Sequence, residues 1–224
     1  MNKSEIAAVI DHTVLGPETS REDVTKVCEE ADEYGFATVC IDPPFVPLAE
    51  SLLEDSESGI ATVIGFPHGA NRPGTKGFEA QLAVEDGADE LDMVVNVSAL
   101  LEGDYRTVAR DIEAVTEVAE NSPREIIVKV ILEMALLNDK AKRAGPVVAQ
   151  ASGADFVKTS TGFGPGGATV EDVELMRSLV SDEVGVKAAG GIGDYGEAMA
   201  MIKAGATRIG ASSGVKIVGG APDG

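Results

Sequence analysis

One cadence recurs along the chain: a helical pattern ends at glycine, and a short apolar run follows at once. It occurs as Tyr34-Gly35-Phe36 before the run 38–42, and as Asp86-Gly87-Ala88 before 90–95. It returns as Ser152-Gly153-Ala154 before 155–160, and as Ala204-Gly205-Ala206 before 207–212. A glycine just past a helix can take positive φ and close the last turn, and a short link then feeds a strand. This is the helix-to-strand joint of a parallel sheet. The same reading of the whole chain predicts strands near 7–12, 37–42, 60–65, 90–95, 125–131, 155–159, 184–188 and 207–210, with helices between them. The clearest helix is 105–120, where Val108, Ile112, Val115 and Ala119 share one face. Eight strands alternating with helices, in 224 residues with no long linker, predict a single α/β domain over 1–224. The expected architecture is a closed (β/α)8 TIM barrel rather than an open doubly wound sheet. The glycine-rich end, from about 215 to 224, reads as a flexible tail.

Strands of such a barrel are buried on both faces, so a charge inside one is costly unless it is paired or used. Five such residues stand out within the predicted strands: Asp11, Asp92, Lys129, Lys158 and Lys187. Asp11, Lys158 and Lys187 are followed at once by loop-like sequence, which predicts positions at the C-terminal rim where this fold places its chemistry. Asp92 and Lys129 are expected slightly deeper. Strand alternation puts Asp92 on a face with Val94 and Asn96, and Lys158 on one with Phe156 and Ser160. If those faces point inward, the lysines and aspartates meet in one cavity, and one lysine can be neutral. An unperturbed lysine is neutral only to a few parts in about ten thousand at pH 7, and lowering its pKa to ~7 costs roughly 4–5 kcal/mol. Desolvation beside a second ammonium supplies that shift. A single buried lysine reads most simply as half of a structural ion pair. Lysines on three successive strands point instead to a nucleophile.

Composition narrows the partners. Lys plus Arg total 18 against 38 Asp plus Glu, a formal charge of −20, which repels nucleic acid and anionic lipid. The acid excess gives a strongly hydrated surface, and is expected as an adaptation to high salt, where screening relieves self-repulsion. Hydrophobic residues make up 44% but aromatics only 4%, with no Trp, so the core must be built from Val, Ile, Leu and Ala. Two cysteines, Cys28 and Cys40, are too few for a disulfide framework. With no signal-like start and no apolar run near ~18 residues, the expectation is a soluble, cytoplasmic protein without a membrane partner.

Small-residue turns follow the last three predicted strands: Ser160-Thr161-Gly162, Gly190-Gly191 and Gly210-Ala211-Ser212-Ser213. Loops after the seventh and eighth strands form the usual phosphate site of this fold, where glycine lets backbone N–H groups approach the anion and serine adds donors. Taken alone, these glycines could simply make tight turns. His12 and His68 are the only histidines and neither sits in a ligand-spaced cluster, so no metal is expected.

At these motifs the chain closely resembles the deoxyribose-phosphate aldolases. The resemblance runs through 10–15, 38–44, 63–69, 90–104, 129–133, 153–169, 186–192 and 208–214, and is most specific at ADFVKTSTGF and KAAGGI. It implies reversible cleavage of 2-deoxy-D-ribose 5-phosphate to acetaldehyde and D-glyceraldehyde 3-phosphate, with no cofactor. It places the Schiff-base lysine at Lys158, the lysine that tunes it at Lys187 and the proton relay at Asp92. Asp11, Lys129 and Thr161 fall in supporting positions, and Gly162, Gly190, Gly191, Gly210, Ser212 and Ser213 at the phosphate. A homo-oligomer is expected. Two departures stand out. Gly193-Asp194 follows GGI where members commonly carry arginine or another polar residue, which removes a cation from the phosphate side. The tyrosine-bearing tail of some members is also absent. The sequence is also compatible with two other readings: a lysine-dependent barrel aldolase acting on another sugar or keto-acid phosphate, and a non-catalytic barrel that binds a phosphometabolite.

Overall fold

The computed structural model describes residues 1–223. Eight parallel strands pair in sequence order, and the last closes on the first. They are β1 (Ile10–Val14), β2 (Thr38–Ile41), β3 (Gly59–Ile64), β4 (Glu90–Val94), β5 (Ile127–Ile131), β6 (Phe156–Lys158), β7 (Gly185–Ala189) and β8 (Arg208–Ala211). Helix α1 (Lys3–Ala7) precedes the barrel, and the connections carry α2 (Arg21–Tyr34), α3 (Val46–Leu52), α4 (Pro73–Glu85), α5 (Val97–Glu102), α6 (Tyr105–Glu120), α7 (Asp139–Ala151), α8 (Val170–Leu179) and α9 (Tyr195–Lys203). After β8 comes α10 (Gly214–Gly219). This is the expected (β/α)8 architecture. The four cadence glycines, Gly35, Gly87, Gly153 and Gly205, all hold positive φ where a helix turns into the next strand.

Strand alternation divides the apolar residues between two cores. Outward-facing Val39, Ile41, Leu91, Met93, Val128, Val130, Val157 and Val186 pack beneath the helices in one continuous cluster. From α6, Val108, Ile112 and Val115 join it, fully buried. Each such side chain contributes roughly 1.5–3 kcal/mol relative to exposure. The barrel interior holds a second, small apolar cluster of Cys40, Ala61 and Val63, with Leu15 and Phe66 against it. The remaining interior, from β4 round to β1, is lined by charge.

Two boundaries differ from expectation. The first strand begins at Ile10 rather than near residue 7, because Asn2 and Glu5 form a reciprocal capping box that starts α1 at Lys3. Asp11 is therefore the second residue of its strand, not its end. At the other terminus, Gly214–Gly219 is helical, with Ile217 and Val218 buried against the fold, so a tail beginning at about 215 is not what these residues form. The apolar pair is what anchors them. Gly224, the last residue of that expected tail, lies outside the described residues.

Candidate active site

Three ammonium groups converge on one carboxylate. Lys129 Nζ lies 2.7 Å from Asp92 Oδ1, while Lys158 Nζ and Lys187 Nζ lie 2.6 and 2.7 Å from Asp92 Oδ2. The register brings them together: Asp92 pairs across with Lys129, and Lys158 with Lys187. Below them, Asp11 is ion-paired with Lys187 and, at 3.7 Å, with Lys129. Arg208 Nη1 is 2.6 Å from Asp11 and 3.1 Å from Glu90, and Glu90 also pairs with Lys129. Arg208 lies over the Phe156 ring, whose edge occupies the space a side chain at Gly185 would need.

The sequence reading missed Arg208 and Glu90. Strand alternation could have found both, since Glu90 is two residues before Asp92 and Arg208 two before Gly210. Their opposite charges leave the net count of the interior unchanged: four cations against three carboxylates. Depth also departs from expectation. Lys158, last in β6, is at the rim, but Lys187 is the third of five strand residues and Asp11 the second of five, and both are fully buried. The strand ends reach beyond them, at Ala189 and Val14.

The electrostatics separate the lysines. Burial alone would push Asp92 up, but Lys129, Lys158 and Lys187 hold it well below the usual carboxylate range. Asp11 is likewise held low, against its burial, by Lys187, Lys129 and Arg208. Lys187 and Lys129 are kept above the ordinary lysine value because neighbouring carboxylates outweigh their burial. Lys158 goes the other way. Burial pulls its pKa down, Asp92 opposes this, and the Lys187 ammonium pulls it down further. Cys40, buried beside these groups, has its thiol pushed up by burial, which keeps it protonated.

A cavity of about 510 Å³ opens at the C-terminal ends of the strands, and Lys158 is the one ionisable side chain on its wall. The wall also includes Thr161, Gly162, Gly190, Gly191, Gly210, Ser212 and Ser213, so the three small-residue turns meet there. Gly162, Gly190 and Gly191 take φ of 88°, 92° and 79°, which L side chains rarely adopt. A Cβ at Gly210 would come within 3.0 Å of Lys187 Cε. Gly193 lines the same cavity, but its N–H donates to Glu197 Oε2 at 2.7 Å. Asp194 is turned away as the N-cap of α9, accepting from Glu197 N. His12 lies apart, buried with Nε2 2.6 Å from Glu30, and His68 lines a separate cavity of about 90 Å³.

A closed eight-stranded barrel with one lysine facing a glycine- and serine-walled cavity at its catalytic end defines a class, the lysine-bearing (β/α)8 enzymes. Residues 6–219 match the DeoC/LacD family aldolase, and the chain belongs to that family. It is 56% identical over 213 residues to the deoxyribose-phosphate aldolase of Caldanaerobacter subterraneus subsp. tengcongensis, covering 95% of this chain and 92% of that one. With the Thermococcus kodakarensis deoxyribose-phosphate aldolase it shares 56% identity over 225 residues, 100% of each. The tetrameric deoxyribose phosphate aldolase from Aeropyrum pernix has the same fold, with a TM-score of 0.90 and 35% identity over 97% of this chain and 91% of that one.

Proposed function

We propose that this aldolase reversibly cleaves 2-deoxy-D-ribose 5-phosphate to acetaldehyde and D-glyceraldehyde 3-phosphate through a Schiff base at Lys158. The observation that carries the reading is the pairing of place and charge: Lys158 alone among the interior lysines lines the cavity, and it alone has a lowered pKa. A neutral amine at a cavity mouth is a nucleophile for an aldehyde. Its Nζ adds to C1 of the open-chain sugar, and loss of water gives an iminium. As a proton leaves the C3 hydroxyl, the C2–C3 bond breaks and its electron pair moves into the iminium. That step releases D-glyceraldehyde 3-phosphate and leaves an enamine. Protonation at C2 and hydrolysis then return acetaldehyde and the free amine.

Asp92, 2.6 Å from the reacting nitrogen, is placed to relay protons during carbinolamine dehydration and enamine protonation, directly or through water. Lys187 remains an ammonium, fixed by Asp11 and Asp92, and keeps the pKa of Lys158 down. Asp11 and Lys129 complete the charge frame beneath. Gly162, Gly190, Gly191, Gly210, Ser212 and Ser213 receive the phosphate, with backbone and hydroxyl donors replacing the cations that such sites often use. No cofactor takes part.

The same reading makes the protein a cytoplasmic homo-oligomer of carbohydrate and deoxyribonucleotide breakdown. The tetrameric relative supports assembly. The charge of −20 supports a surface suited to high salt and a protein that binds neither nucleic acid nor membranes. No helix among the described residues is long and apolar enough to cross a membrane.

Borohydride reduction in the presence of acetaldehyde tests the chemistry. A stable ethyl group on Lys158 is the expected product, found by peptide mass spectrometry. Labelling of another lysine, or none from an enzyme that releases acetaldehyde from the sugar phosphate, would remove Lys158 as the nucleophile. Trapping only with a ketone would favour a keto-substrate aldolase.

A further inference from the structure

Glu133, two residues past β5, is the one non-glycine residue with positive φ among the described residues, at φ 54° and ψ 59°. An L residue reaches that left-handed region at a cost in backbone energy that glycine does not meet. The side chain adds a second cost. It is buried, and no described residue donates a hydrogen bond to its Oε1. Two penalties at one position point to a task for the carboxylate.

Its other oxygen shows what the task is. Glu133 Oε2 accepts both the hydroxyl and the backbone N–H of Thr161, the latter at 3.2 Å. The Thr161 hydroxyl in turn accepts the N–H of Phe163 at 3.0 Å. The chain then folds over the carboxylate so closely that a Cβ at Gly164 would lie 2.8 Å from Glu133 Cδ. Inside this turn sits Gly162, on the wall of the 510 Å³ cavity, four residues beyond Lys158. Glu133 itself does not line that cavity and does not touch the lysine network.

We infer that Glu133 is a positioning residue whose carboxylate fixes the turn from Thr161 to Gly164 and so sets Gly162 against the phosphate of the substrate. The inference rests on the proposed reading of the cavity as the sugar-phosphate site. Because the carboxylate acts through the turn alone, its loss should fall on phosphate binding and spare the chemistry at Lys158.

The test compares 2-deoxyribose 5-phosphate with unphosphorylated 2-deoxyribose in the full-length enzyme. Glu133→Gly relieves the backbone while deleting the carboxylate, so it should melt no lower than Glu133→Ala. In both variants KM for the phosphorylated sugar should rise about tenfold or more, with kcat and the kcat/KM for 2-deoxyribose within about threefold of the parent. Glu133→Gln keeps an acceptor for Thr161 and should restore most of the lost affinity. Equal losses on both sugars, an unaffected Glu133→Gly enzyme, or a glutamine variant no better than the glycine one would each overturn the assignment. Should the Glu133 variants fail to fold, Gly164→Ala, whose new Cβ would press on the carboxylate from outside the cavity wall, must show the same split, and an equal loss on both sugars there overturns the assignment too. A parent enzyme with no preference for the phosphorylated sugar would instead remove the reading of the cavity. Acetaldehyde trapping at Lys158 should persist in every variant, and its loss in Glu133→Gly alone would move Glu133 into the amine chemistry and end the positioning role.

Discussion

Between α4 and α6 a buried lysine meets a buried aspartate, as happens inside the barrel, yet the two clusters are built to different counts. Lys76 Nζ lies 2.7 Å from Asp111 Oδ2 and donates to Val94 O, while Asn96 N donates to the same carboxylate oxygen. Gly77 lets the helices close, since a Cβ there would come within 2.7 Å of Ala114 O. In this pair burial wins over pairing on both sides: it pulls Lys76 down and pushes Asp111 up, each only partly held back by the other. Inside the barrel Asp92 touches three ammonium groups, and pairing wins over burial at Asp11, Asp92, Lys129 and Lys187. One partner is not enough to repay desolvation, whereas several are. The interior also holds one more cation than it has carboxylates. That excess charge is shed at least cost by Lys158, which Lys187 repels and which opens on the cavity. A matched pair staples two helices to the end of β4; an unmatched network leaves a lysine of lowered pKa at the cavity wall.

Removing Lys158 should break this contrast most sharply. Lys158→Leu takes away the group that sheds the surplus charge and leaves three cations against three carboxylates, so thermal stability should stay level or rise. Turnover of 2-deoxyribose 5-phosphate should fall by about 10³-fold or more, together with all borohydride trapping at this site. A variant that stays active would end the nucleophile assignment. Asp111→Ala should do the opposite. It strands a buried ammonium and should cost about 3–5 kcal/mol in denaturant unfolding, with kcat little changed. Adding Lys76→Met should recover much of that loss. If the double variant is no more stable than Asp111→Ala, the pair does not act as the matched unit described.

Much of this contrast could be read from sequence, and the exceptions have physical causes. The barrel was legible because the joints of its cadence use glycine where the backbone must turn left-handed. Five of the seven interior charges were legible because a strand buried on both faces makes an ionisable residue within it conspicuous, whereas Glu90 and Arg208 stand at the first positions of β4 and β8 and read as strand-end charges. Asp111 was not seen, although it lies three residues after Val108 and beside Ile112 on the apolar stripe of α6. A lone aspartate in a helix that also carries exposed Glu and Arg looks solvated, and only its contact with α4 shows otherwise. The start of β1 was missed because the apolar run 6–10 serves a helix and a strand equally well, and the cap at Asn2 decides between them. Glu133 carried no signal. Its left-handed backbone and its hold on Thr161 are properties of the tertiary fold.

The role of Lys187 is sharpened by pH rather than by loss of activity alone. Its ammonium lowers the pKa of Lys158, so its removal raises that pKa. In the proposed Schiff-base chemistry the amine reacts when neutral, so kcat/KM should rise with pH through the amine pKa, which in the parent lies below the ordinary 10.5. Lys187→Met should move that limb to higher pH and depress activity near neutrality by about ten- to a hundredfold, the loss shrinking as pH rises. A uniform loss at every pH would mean that Lys187 acts on something other than the charge of Lys158.

The smallest expected effect concerns the cavity itself, where Lys158 is the one ionisable side chain. Gly193 stands on its wall and is not among the glycines of positive φ, and a Cβ there would meet nothing closer than Glu197 Oε2, at 3.6 Å. Gly193→Arg should therefore be accommodated, and it offers the phosphate a guanidinium that can bind two oxygens at once. The predicted gain is modest, about a two- to fivefold lower KM for 2-deoxyribose 5-phosphate at low salt, because Glu197 competes for the new cation. Both partners face solvent, so the gain should fade above about 1 M salt, where charges more than ~3 Å apart are screened. If the phosphate sits at the Gly190–Gly193 loop, unphosphorylated 2-deoxyribose must be indifferent to the change. An equal improvement for both sugars would place the phosphate elsewhere on the wall and return Gly190 and Gly191 to a purely conformational role.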